Sequence, residues 1–213
     1  MREPRESTSR SAHFSMIRGF HLADWITLAN SGCGTAAIFV AMRHLQEPQQ
    51  VSLLWAAALI ALAFAFDSLD GRVARQRHEH SPLGRELDSL SDVISFGVAP
   101  ATMAYAVGMQ GLWDVAVLVC FVACGVSRLA RYNITAETLS AGADKPKYFE
   151  GTPIPSSLVL VGVLAVAVWR GSVGPALWGG SVRLGPATLH PLVSMFALSG
   201  SLMISKTLRI PKL

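Results

Sequence analysis

The hydrophobic residues of this chain fall in long blocks that are separated by short polar stretches. The blocks show no amphipathic stripe, a pattern typical of membrane-spanning helices. We predict an all-α, polytopic membrane protein with six transmembrane helices. The predicted spans are residues 25–42, 51–66, 92–107, 112–129, 154–169 and 191–204. Several are shorter than the ~20 residues that cross a bilayer alone. We therefore expect the second helix to continue past its span and the third to begin before its span.

The N-terminal region differs from these blocks. Residues 1–13 are polar and charged, and we predict that they form a disordered tail. Residues 14–24, FSMIRGFHLAD, mix apolar residues with Arg18 and His21. This mixture predicts an amphipathic helix that lies along the membrane surface. Residues 14–213 are then expected to form a single membrane domain.

Composition and charge support a membrane protein and indicate its orientation. Of the 213 residues, 51% are hydrophobic and 15% are charged, and the mean hydropathy is +0.41. Of the 18 Lys and Arg residues, 15 lie before the first span, in the second connection, in the fourth connection or at the end of the span that leads into it, or after the last span. With six spans these regions share one side, which the positive-inside rule makes cytoplasmic, together with both termini. The net charge of +4 thus reflects topology and anionic headgroups, and nucleic acid is not an expected partner.

Four aspartates border the second connection. Asp67 and Asp70 are three residues apart, and Asp88 and Asp92 are four apart, so each pair projects from one helix face. The Ser-Pro pair at residues 81–82 is suited to start the second of these helices. The hairpin is short, so the two pairs can face each other. Four carboxylates near hydrocarbon repel one another and lose hydration, a cost usually met by protonation or by a cation. Mg²⁺ or Mn²⁺ fits such oxygen ligands best.

The spacing of these acids matches a family signature. It reads D-x2-D-G-x2-A-R-x8-G-x3-D-x3-D, and it is filled by Asp67, Asp70, Gly71, Ala74, Arg75, Gly84, Asp88 and Asp92. At every one of these positions the chain resembles the CDP-alcohol phosphatidyltransferase family. The resemblance implies a membrane-embedded transferase that moves a phosphatidyl or related group from a CDP-linked lipid to an alcohol. It also implies a divalent metal centre.

The resemblance assigns roles to the four acids. Asp67, Asp70 and Asp88 would chiefly bind metal, while Asp92 would also act as the general base for the acceptor hydroxyl. Two Mg²⁺ or Mn²⁺ ions would balance the carboxylates and stabilise charge on the departing CMP. The alternative is that the acids form a solvated face or salt bridges with the arginines between them.

Residues near the acids are expected to bind the CDP moiety because they are small, basic or capable of hydrogen bonding. They are Asn30, Asp70, Gly71, Ala74, Arg75 and Gly84. Gly71 and Ala74 would let a diphosphate approach the helix backbone, and Gly84 would open the facing helix. Arg75 can neutralise a phosphate. The amide of Asn30 needs a partner at membrane depth, and the resemblance implies that the first helix borders the nucleotide.

Small residues in the first span predict close helix contacts. Gly32 and Gly34 are expected to pack against a neighbouring helix, as small residues favour in membranes. Homodimers are common in the family that the chain resembles, and we expect one here.

Three further stretches narrow the resemblance. Residues 88–100 (DSLSDVISFGVAP), 128–133 (RLARYN) and 149–157 (FEGTPIPSS) resemble the membrane-integral phosphatidylserine synthases of bacteria and archaea. The implied substrates are CDP-diacylglycerol, drawn from the membrane lipids, and L-serine. The implied location is a bacterial cell membrane, with the active site on the cytoplasmic side.

The serine carboxylate requires a fixed cation in the acceptor pocket. Arg128 and Arg131 end the fourth span three residues apart, with Asn133 beside them, and together they could clamp it. Either arginine could equally be an interface residue that follows the charge rule.

The sequence leaves three other functions open. The first is a sister transferase that uses glycerol phosphate or inositol phosphate as acceptor. The second is a cation transporter, for which acids near the middle of the bilayer would be expected. The third is an inactive scaffold with the same fold.

Overall fold

Seven α-helices carry most of the part of the chain that the structure describes. The structure is a computed structural model that describes residues 21–77, 82–140, 148–205 and 209–211. The helices are α1 (Leu22–Gln46), α2 (Gln50–Arg77), α3 (Pro82–Asp92), α4 (Ala99–Val107), α5 (Leu112–Ser140), α6 (Leu158–Trp169) and α7 (Ser194–Ile204). A π-helical segment, Val93–Val98, joins α3 to α4. Short 3-10 turns, Ile154–Ser157 and Pro191–Val193, lead into α6 and α7.

Four of these helical stretches are long and apolar enough to cross a membrane. They are Leu22–Gln46, Gln50–Val73, Leu83–Val107 and Leu112–Thr135. They contain the first four predicted spans, and the second and third extend through the acidic region as expected. The fifth and sixth predicted spans are the apolar helical segments Ile154–Trp169 and Pro191–Ile204, each shorter than 18 residues. The chain is a mostly helical integral membrane protein with four candidate spanning helices.

Two small strand pairs depart from the all-α prediction. β1 (Tyr148–Glu150) pairs antiparallel with β4 (Arg209–Pro211), and β2 (Val182–Leu184) pairs with β3 (Ala187–Leu189). Three residues are too few for a hydrophobic alternation to be recognised in the sequence. The predicted tail at residues 1–13 lies outside the described residues. So does most of the predicted interfacial helix at 14–24, whose last three residues form the first turn of α1.

The helices pack so that α1 touches both acid-bearing helices. It runs along α2 and also contacts α3, α4 and the π-helical segment. On the other side of the bundle, α5 packs against α7, where the rings of Phe121 and Phe196 meet edge to face at 5.1 Å. The rings of Phe64 and Phe96 make a similar contact at 6.2 Å between α2 and the π-helical segment. The acid-bearing parts of α2 and α3 lie beside the start of α1.

The π-helical segment begins directly after Asp92. Its wider turn is closed by the Ala99 N–H, which donates to the Ile94 carbonyl five residues earlier. Pro100 follows at the start of α4. A proline has no N–H, and its ring clashes with the carbonyl four residues before it in a regular α-helix. A widened turn ahead of Pro100 relieves this clash, and such turns are frequent at functional sites.

Gly34 is the point of closest approach between α1 and the π-helical segment. A Cβ at Gly34 would lie 2.7 Å from the Ser95 Cα, whereas a Cβ at Gly32 would have nothing within 4 Å. The predicted packing role therefore holds for Gly34, while Gly32 is exposed.

We expect Gly34→Ala to destabilise the protein, because the added methyl group forces the two helices apart. Overpacking of this kind costs about 1–3 kcal/mol. Gly32→Ala is the matched control, and it should be neutral or stabilising by up to about 1 kcal/mol because alanine is the better helix former. Thermal unfolding in detergent micelles measures both. Equal melting temperatures for the two variants would contradict the close contact at Gly34.

Candidate active site

Three carboxylates converge where α2 and α3 face each other. Asp67 and Asp70 lie in the C-terminal half of α2, and Asp88 lies in α3. One carboxylate oxygen from each lies within 4.8 Å of the others. Asp70 is 5% exposed, and the other two are half-buried. The predicted convergence of the two helices is therefore present, and Pro82 begins α3 as expected.

Asp92 stands next to this cluster and is not one of its three members. It is the last residue of α3 and is 7% exposed. Its side chain is within hydrogen-bonding reach of Asp67 and in electrostatic range of Asp70 and Asp88. Its Oδ1 atom has no hydrogen-bond partner among the described residues. The fourth acid is thus close to the cluster and retains an oxygen that can accept a proton.

Three side-chain hydrogen bonds join α1 to α2, to α3 and to the π-helical segment. The Thr27 hydroxyl donates to Oδ2 of Asp70 at 2.6 Å. The Ser91 hydroxyl donates to the Thr27 carbonyl at 3.1 Å, and the Ser95 hydroxyl donates to the Asn30 carbonyl at 3.1 Å. Neither serine was predicted to contribute to the site. Their four-residue spacing was the available signal, because it places both on one helical face.

Asn30 is the predicted nucleotide contact with the clearest structural signal. Its side chain is fully buried, and neither its Oδ1 nor its Nδ2 atom has a hydrogen-bond partner among the described residues. A buried polar group without a partner costs about 1–3 kcal/mol. Asn30 lies one turn from Thr27, and its amide is a buried polar group that still needs a partner.

The other predicted CDP contacts are described to different extents. Gly71 follows Asp70 in α2, and Gly84 lies in the first turn of α3; both are half-buried. The backbone of Ala74 and Arg75 continues α2, but their side chains lie outside the described residues.

The three residues predicted to bind the acceptor differ in their exposure and in their described contacts. Arg128 of α5 is half-buried, interacts electrostatically with Asp92 and lies 5.8 Å from the Tyr132 ring. The Asn133 amide donates to the Ser89 hydroxyl at 3.0 Å and so joins α5 to α3. Arg131 is exposed. Of the three, Arg128 is the residue with a described interaction with one of the four acids.

The chemistry of the cluster fits a divalent cation. Three carboxylates so close together repel one another, and the repulsion grows as the surroundings exclude water. Hard cations such as Mg²⁺ and Mn²⁺ take oxygen ligands and offset this repulsion. The cluster can therefore hold a divalent metal ion.

Comparison with known proteins decides the family. Residues 20–196 match the family model described as CDP-alcohol phosphatidyltransferase. This stretch includes α1, all four acids and the helices that pack around them. The chain belongs to the CDP-alcohol phosphatidyltransferase family. The family generally uses divalent metals, in agreement with the acid cluster.

Curated relatives of this CDP-alcohol phosphatidyltransferase share one name, CDP-diacylglycerol–serine O-phosphatidyltransferase. The relative from Saccharomyces cerevisiae is 43% identical over 208 residues, which cover 96% of this chain and 75% of that protein. The relative from Mycobacterium tuberculosis is 38% identical over 149 residues, 68% of this chain and 49% of that protein. The relative from Methanocaldococcus jannaschii is 39% identical over 150 residues, 70% of this chain and 63% of that protein. The aligned region thus spans three quarters of the yeast relative and about half of the mycobacterial one.

Proposed function

We propose that this chain transfers the phosphatidyl group of CDP-diacylglycerol to the hydroxyl of L-serine, with release of CMP. The observation that carries the proposal is the cluster of Asp67, Asp70 and Asp88 with Asp92 beside it. The shared name of the relatives supports serine as the acceptor.

The proposal gives the four acids two roles, metal binding and general-base catalysis. Asp67, Asp70 and Asp88, with Asp92 at their edge, would hold two Mg²⁺ or Mn²⁺ ions. When bound, these ions neutralise the diphosphate and stabilise the charge on the leaving CMP. Asp92 accepts the proton of the serine hydroxyl. The serine oxygen then forms a bond to the lipid-side phosphorus, the bond from that phosphorus to the CMP oxygen breaks, and CMP leaves with the electron pair.

Neighbouring residues would position the two substrates. Asn30 supplies hydrogen bonds to the nucleotide side, and the small residues Gly71 and Gly84 leave room for the diphosphate. Ala74 and Arg75 continue this surface along α2, as the family signature implies. On the acceptor side, the proximity of Arg128 to Asp92 supports a contact with the serine carboxylate. Arg131 and Asn133 would form the outer part of this pocket.

The membrane arrangement is part of the proposal. Six spans, with the two short apolar segments as the fifth and sixth, put the active site and both termini at the cytoplasmic face, as the distribution of Lys and Arg favours. Residues 14–213 would form one domain, with an interfacial helix at its start and a disordered tail before it. A bacterial cell membrane and a homodimer stay predictions from the sequence.

A sister transferase is the second candidate, since a phosphorylated acceptor could also use Arg128. A transporter is less well supported. Asp67 and Asp70 lie toward the C-terminal end of α2, whereas a transport path needs acids at mid-bilayer depth, and the relatives carry the name of a transferase.

An acceptor-competition assay tests the proposed function. The purified protein is given CDP-diacylglycerol and labelled serine, with Mn²⁺ or with EDTA, and in parallel with glycerol phosphate or inositol phosphate. We expect phosphatidylserine and CMP in equal amounts when metal is present and none with EDTA. We expect no lipid product from glycerol phosphate or inositol phosphate. Product from another acceptor would identify a sister transferase. No product from any acceptor would contradict the enzyme assignment.

A further inference from the structure

We propose that Thr27 is a positioning residue that sets the Asp70 carboxylate for cation binding and ties α1 to both acid-bearing helices. The inference rests on the proposed metal centre, and it concerns a residue that the family signature does not contain. Thr27 is 4% exposed and lies in the second turn of α1.

The first contact is made by the Thr27 hydroxyl. It lies 2.6 Å from Oδ2 of Asp70 and 3.0 Å from the Ala23 carbonyl. The hydroxyl has one proton, and both neighbours are acceptors. The shorter contact goes to the carboxylate, as expected for a charge-assisted hydrogen bond. This bond restrains the rotation of the Asp70 carboxylate, one oxygen of which lies within 4.8 Å of oxygens of Asp67 and Asp88.

The second contact is made by the Thr27 backbone. The Thr27 carbonyl accepts the hydroxyl of Ser91, which precedes Asp92 and is 3% exposed. One residue of α1 therefore contacts α2 through its side chain and α3 through its main chain. These are the two helices whose acids must stay together against their mutual repulsion.

Thr35 shows that the Asp70 contact is more than a common feature of helical threonines. Thr35 lies two turns later in α1, and its hydroxyl donates to the Ser31 carbonyl at 2.9 Å. Both threonine hydroxyls thus lie within hydrogen-bonding distance of the carbonyl four residues earlier, as helical threonines often do. Of the two, Thr27 is the one with a described bond to an acid.

Mn²⁺ titration followed by electron paramagnetic resonance tests the proposal on the full-length protein in detergent. Thr27→Val keeps the branched shape and removes the hydroxyl, Thr27→Ser keeps the hydroxyl, and Thr35→Val is the matched control. Losing a residue that orients a metal ligand typically weakens metal binding by about 10–100-fold. We expect a loss of this size for Thr27→Val, wild-type affinity for Thr35→Val, and recovery of most of the affinity in Thr27→Ser.

Melting temperatures measured without metal show whether a variant has lost Mn²⁺ affinity because its fold is weakened or because Asp70 is no longer oriented. Thr27→Val with unchanged Mn²⁺ affinity would overturn the inference, whatever its melting temperature. Equal losses of affinity in Thr27→Val and Thr27→Ser would overturn it as well, because the methyl group would then be the important part. Absence of Mn²⁺ binding by the wild-type protein would overturn the metal centre itself, and this inference with it.

Discussion

Asp92→Asn is expected to reduce phosphatidyl transfer by about 10²–10⁴-fold, the usual contribution of a general base. The amide keeps the size of the side chain but cannot accept the proton of the serine hydroxyl. Asp67, Asp70 and Asp88 keep their carboxylates in this variant, so it should still insert into the membrane and bind Mn²⁺ at their cluster, with the loss of only the ligand at the edge. Labelled-serine transfer and Mn²⁺ titration on the same preparation measure the two properties.

Asp114→Asn provides a control in the first turn of α5. Asp114 is fully buried, and its carboxylate accepts the Gly111 N–H at 2.9 Å and the His190 N–H at 2.8 Å. Its replacement should lower the melting temperature without a specific loss of transfer. Near-wild-type turnover in Asp92→Asn would remove Asp92 from the role of base. A matching loss in Asp114→Asn would attribute both effects to the general replacement of a buried acid.

Asp88→Asn should strongly weaken cation binding and, with it, transfer. Asp88 contributes one of the three oxygens of the cluster from α3, opposite the two from α2. Disturbing a residue that holds a metal ligand in place weakens metal affinity by about 10–100-fold. Loss of a ligand itself should weaken it at least as much. A higher Mn²⁺ concentration should restore part of the activity, whereas it should not rescue Asp92→Asn.

Glu86→Gln is the control for charge alone, because Glu86 lies in the same helix and is exposed. It removes one negative charge near the site without touching the cluster. Its Mn²⁺ affinity should equal that of the wild-type protein. If Glu86→Gln and Asp88→Asn weakened Mn²⁺ binding equally, the ion would be held by diffuse negative charge and not by the cluster.

Helical periodicity explains why the acid cluster could be predicted from sequence. Spacings of three and four residues place Asp67 with Asp70 and Asp88 with Asp92 on single faces, and Pro82 marked the start of α3. These are local properties of the chain. The first four spans were predictable for the same reason, since each is a long apolar block.

Features that depend on packing between distant segments were not predicted. The bond from Thr27 to Asp70 joins residues 43 positions apart, and no local pattern contains it. Pro100 alone did not reveal the π-helical segment, because a proline is also common at an ordinary helix start. The β1–β4 pair joins segments nearly 60 residues apart in the sequence, each too short to show a period.

The central claim is that the aspartates of α2 and α3 hold divalent ions that bind the nucleotide-activated lipid. Anomalous diffraction from crystals grown with Mn²⁺ and CDP-diacylglycerol tests it most directly. We expect manganese peaks between Asp67, Asp70 and Asp88, with the diphosphate oxygens completing the coordination and Asn30 facing the nucleotide side. Manganese peaks elsewhere, or a diphosphate bound away from these carboxylates, would contradict the account.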